Sequence, residues 1–119
     1  MSKKALLPHA VADLVERVLT SAAAHAPADV RRAAYEYVAA LTRGDAPAAV
    51  VSPAAEPYLR KVALCAYKVL DREVDAMRAA GLTDDDVFEI TVAAALSAGV
   101  TRMELALAAL EEVPHAAAS

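Results

Sequence analysis

The chain has 119 residues, 58% of them hydrophobic but only 4% aromatic, with 24% charged and a net charge of -4. Length allows one domain with a core of its own, which excludes a two-domain arrangement and removes the need for staples. The acidic balance, with no Lys/Arg-rich face, excludes a nucleic-acid binder, and the one cysteine excludes an intrachain disulfide and fits a reducing compartment.

Much of the apolar content is alanine, the best helix former, so the chain reads as all-α, with about six helices expected over one domain spanning 1–119. "MSKKALLPHAVADLV" has two lysines, but Pro8, His9 and Asp13 interrupt its apolar residues, so a signal peptide is not expected and a cytoplasmic protein is. Val11, Leu14, Val15, Val18 and Leu19 recur at helical spacing and predict a first helix over 9–24. After "APADV", Asp29 is expected to start a second helix that turns Val30, Ala33, Ala34, Tyr37, Val38 and Leu41 inward and stops at Gly44. These two form an N-terminal hairpin over 1–44. The three prolines of "GDAPAAVVSPAAEP" mark a connector.

A third helix is expected over 56–70, and a fourth from Asp71, ending at Gly81 in a left-handed cap. Thr83 three residues before Asp86, and Thr101 three residues before Glu104, both fit the capping-box spacing. They predict a fifth helix over 84–98, a sixth over 102–113, and a tail over 114–119. The run "ITVAAALSAGV" is too short to span a bilayer and is apolar on every side. Such a helix needs cover on every side, and Val92, Leu96 and Val100 offer a stripe for it. A homo-oligomer is the expectation, with no membrane and no nucleic acid as partners.

On the third helix, Tyr58, Val62, Cys65 and Val69 make one stripe; Lys61, Cys65, Lys68 and Arg72 make another. Cys65 stands where they meet. Cations one turn away would favour its thiolate, giving an activated thiol at a pocket edge. The competing reading is a small buried hydrophobe beside Val62 and Val69, with the lysines reaching into solvent. Glu56, Tyr58 and Lys61 would line such a pocket. His9, His25 and His115 lack metal-ligand spacing, so no metal or other cofactor is expected. Asp84, Asp85 and Asp86 read as a helix start, and Gly44, Gly81 and Gly99 are too isolated for a phosphate loop.

The segment "YLRKVALCAYKVLDREVDAMRAAGLTDDDVFEITVAAALSAGVTRMELALAAL" resembles the carboxymuconolactone decarboxylase and alkylhydroperoxidase D-like superfamily. The similarity lies in the "AGL" turn, the acidic helix start after it, and the later Thr101–Arg102 pair. It covers a family-like core over 53–113. The resemblance implies a helical bundle that assembles as a trimer or hexamer, a dimer being the runner-up. The family's peroxidases use two cysteines three residues apart, a histidine four residues further on, and an upstream glutamate. Here Cys65 falls on the first cysteine, Lys68 on the second, Arg72 on the histidine and Pro53 on the glutamate. A dithiol peroxidase needs a resolving cysteine and a base, and those positions supply neither. The expectation is a divergent, non-peroxidase member acting as an oligomeric binding protein for a small molecule or protein. The alternative is a single-cysteine enzyme in which Cys65 works with Lys61, Lys68 and Arg72 on a peroxide or small anion.

Overall fold

The computed structural model describes residues 8–21, 26–64 and 71–112, and every regular element among them is an α-helix. The helices are α1 (His9–Thr20), α2 (Ala28–Arg43), α3 (Glu56–Leu64), α4 (Asp71–Ala79) and α5 (Asp84–Glu112). The all-α expectation is met with five helices among the described residues rather than about six.

The difference lies in α5, where the expected fifth and sixth helices are one element of 29 residues. Thr101 does not cap a new helix. It lies 2% exposed inside α5, and Gly99 keeps an ordinary negative φ. A threonine starts a helix only where the chain has left helical geometry. Here good helix formers flank the site on both sides, and α2 covers this stretch, with Ser97 Oγ donating to the Tyr35 carbonyl at 2.6 Å. The continuous helix is long and apolar enough, by length and composition, to cross a membrane, which the shorter run on its own was not. In the fold it is the central helix on which α2 and α3 pack.

Three local expectations are refined. Asp29 does not start α2: Pro27 does, without a side-chain cap, and the Asp29 carboxylate accepts from the Val30 amide at 3.0 Å inside the first turn. Val30 is 41% exposed rather than inward, while Ala34, Tyr37 and Val38 are buried. Val100, expected on an outward stripe, is buried against its own chain. The ends expected for the first and third helices fall partly outside the described residues, which stop at Ser21 and Leu64 there.

The turn signals are realised. Gly44 has φ +85°, with Gly44 N–H donating to Leu41 O and Asp45 N–H to Ala40 O. Gly81 has φ +99°, with Gly81 N–H on Arg78 O and Leu82 N–H on Met77 O. This paired pattern is the Schellman closure. Thr83 and Asp86 form the reciprocal box, at 3.0 and 3.1 Å, and Arg78 Nε donates to Asp84 Oδ1 at 2.7 Å. The acidic start of α5 is thus held by capping and by α4.

The core joins Ala34, Tyr37 and Val38 of α2 to Leu59 and Ala63 of α3, Met77 of α4, and Ile90, Ala94 and Ala98 of α5. Alanines at contact positions let the helices approach closely. Arg31, which helical spacing did not mark, is 3% exposed. Its guanidinium donates to the carbonyls of Val18 (2.6 Å), Ser21 (2.7 Å) and Ala26 (3.0 Å). A cation thereby closes the C-terminal end of α1, where the helix dipole is negative.

Candidate functional site

Of the expected site residues, Glu56, Tyr58 and Lys61 lie on α3 and Arg72 lies in the first turn of α4. Cys65 and Lys68 lie outside the described residues. Glu56 is exposed in the first turn of α3, where its charge complements the dipole. Tyr58 points the other way and is buried. Its hydroxyl is 2.6 Å from Thr91 Oγ1, which spends its own proton on the Val87 carbonyl, also at 2.6 Å. Tyr58 must therefore be the donor. The phenol ties α3 to α5.

Lys61 and Arg72 do come together, around a residue the sequence did not single out. Glu73, in the first turn of α4, is 7% exposed. Its Oε1 accepts from Lys61 Nζ, and its Oε2 lies 3.8 Å from Arg72 Nε, without a hydrogen-bond partner. The hydrogen bond from Lys61 is the main reason its carboxyl is held below the usual range. Its backbone amide and the charges of Lys61 and Arg72 act in the same sense, against burial, which opposes them. The three residues flank a shallow hollow closed by Ala54, Pro57 and Ala76.

The charge of Lys61 is taken up by its ion pair with Glu73. Glu73 is itself a poor proton acceptor near neutrality, because a general base works best with a pKa near the working pH. Lys61 and Glu73 are twelve residues apart on different helices, a pairing that helical spacing does not reveal.

The better-formed hollow lies elsewhere. It has a volume of about 320 Å³ and sits between the start of α2, the connector and the first turns of α5. That is at the lower bound of small-molecule sites, roughly 300 Å³. Ala34, Ala55, Leu59 and Ile90 are its buried apolar lining; Asp29 and Asp86 bring carboxylates to it. Nothing in the sequence marked it, because its walls come from four separate stretches. Among the described residues, no group of three His, Cys, Asp or Glu side chains is placed to hold a metal. No family model, curated protein or solved structure matches the chain.

Proposed function

We propose that the chain is a helical binding protein that works as a homo-oligomer, a divergent relative of the carboxymuconolactone decarboxylase-like proteins without their thiol chemistry. The observation that carries this is the outer face of α5. Phe88 is 67% exposed and Val92 37%, and the small residues Ala95 and Gly99 continue the face in the open. Leu110 extends it further along, with Arg102 as a charged residue between. An exposed apolar strip of this kind on a core helix marks an interaction surface. Exposed Ala95 and Gly99 allow a second helix to approach closely. The family resemblance favours a trimer or a hexamer, with a dimer as the runner-up.

Light scattering at micromolar concentration tests the assembly. A folded 12.4 kDa species would overturn it. Val92→Asp should separate the copies without unfolding them, because Val92 faces outward; Leu96→Asp is a harsher version, since Leu96 is half-buried against its own chain. Hydroperoxide reduction with a dithiol is expected to be absent. Turnover that disappears in Cys65→Ser would restore the single-cysteine enzyme.

A further inference from the structure

We infer that the hollow between α2, the connector and α5 is a binding site for a small molecule with an apolar body and one positively charged head. The inference deepens the reading of the chain as a binding protein but does not depend on its assembly. The floor is hydrocarbon: Ala34, Ala55, Leu59 and Ile90 are all nearly inaccessible. The mouth is apolar too. Val50 stands 88% exposed and Val30 41% exposed, both lining the same hollow. Two large side chains left in water at the entrance of an apolar hollow of about 320 Å³ mark an unfilled contact surface rather than a packing defect.

The charge at this site has one sign. Asp29 and Asp86 line it, and no lysine, arginine or histidine does among the described residues. Each carboxylate has a structural bond through one oxygen, Asp29 Oδ1 to the Val30 amide and Asp86 Oδ2 to the Thr83 amide. Those bonds fix the side chains and leave their negative charge in place. The N-termini of α2 and α5 are also here, and alone they would favour an anion; their partial charges of about +0.5 each are outweighed by two full negative charges. An apolar floor below a fixed anionic rim selects an alkyl or aryl ammonium over the matching alcohol, and the alcohol over the matching carboxylate.

Calorimetric titration with hexylammonium, 1-hexanol and hexanoate tests this, since the three share one tail and differ in the head. Hexylammonium should bind about five- to tenfold more tightly than 1-hexanol, with hexanoate weakest. Asp29→Asn, at an exposed position, should reduce that preference while leaving 1-hexanol unchanged. Ala33→Leu should fill the hollow and abolish binding of all three; if that variant does not fold, Val30→Trp at the rim should block entry instead. Absence of saturable binding, equal affinity for the three heads, or binding that survives the filling and blocking variants would each overturn the proposal. Light scattering on the same samples separates the two readings. A monomer that binds hexylammonium removes only the assembly, and an oligomer that binds none removes only the site.

Discussion

Arg31 shows how much one side chain can organise. Its planar guanidinium reaches three carbonyls in different directions, from Val18, Ser21 and Ala26. Arg31→Met should therefore lower stability by about 2–4 kcal/mol in urea unfolding, because buried carbonyls lose a charged donor. Arg31→Lys should recover little of it, since an ammonium cannot reproduce the fork. A second residue-scale consequence concerns acid. Glu73 has a folded-state pKa below its unfolded value, so its contribution is present above the unfolded value, about 4.3. It is lost as pH falls from there through the folded value. Glu73→Gln should flatten the acid limb of stability against pH, measured by denaturant melts, and should change the slope little above about pH 6. A slope equal to that of the parent chain would show that the Lys61 contact does not hold in solution.

At the scale of elements, two glycines should respond with opposite sign. Gly81 sits at φ +99°, so Gly81→Val should cost about 1–2 kcal/mol or more, although a Cβ there meets open space. Gly99 is helical and its Cβ would also meet nothing, so Gly99→Ala should stabilise α5 by about 0.5–1 kcal/mol. A melting temperature that falls in Gly99→Ala would place a break where α5 is continuous. The contrast explains what was legible. Gly44, Gly81 and the Thr83–Asp86 box could be read because each is settled by a few adjacent residues. Thr101 and Glu104 show the same local spacing, but a helix running through them suits both that spacing and burial against α2. Glu73 and the apolar hollow were not legible at all, since both depend on segments brought together from different helices.

For the whole molecule, the proposed assembly adds a dependence on concentration. Only the folded copies associate through the outer face of α5, so the melting temperature should rise with protein concentration. In Val92→Asp that rise should vanish. A midpoint that does not move between micromolar and millimolar protein would argue for a chain whose apolar strip serves some other contact. The core also sets how evenly stability is spread. Leu59 and Met77, almost wholly buried at the meeting of α3 and α4 with α5, should each cost about 2–5 kcal/mol on truncation to alanine.

The first helix stands apart from that core. Leu19 is the one residue of α1 that is buried, and the Arg31 fork is its principal polar tie. Such an element opens without the rest of the molecule following, as a separate cooperative unit. Amide hydrogens of residues 12–20 should exchange with deuterium well before those of 90–98, and Arg31→Met should speed the first set while leaving the second close to its original rate. A protease should accordingly nick the chain near Ser21 while the other helices stay folded.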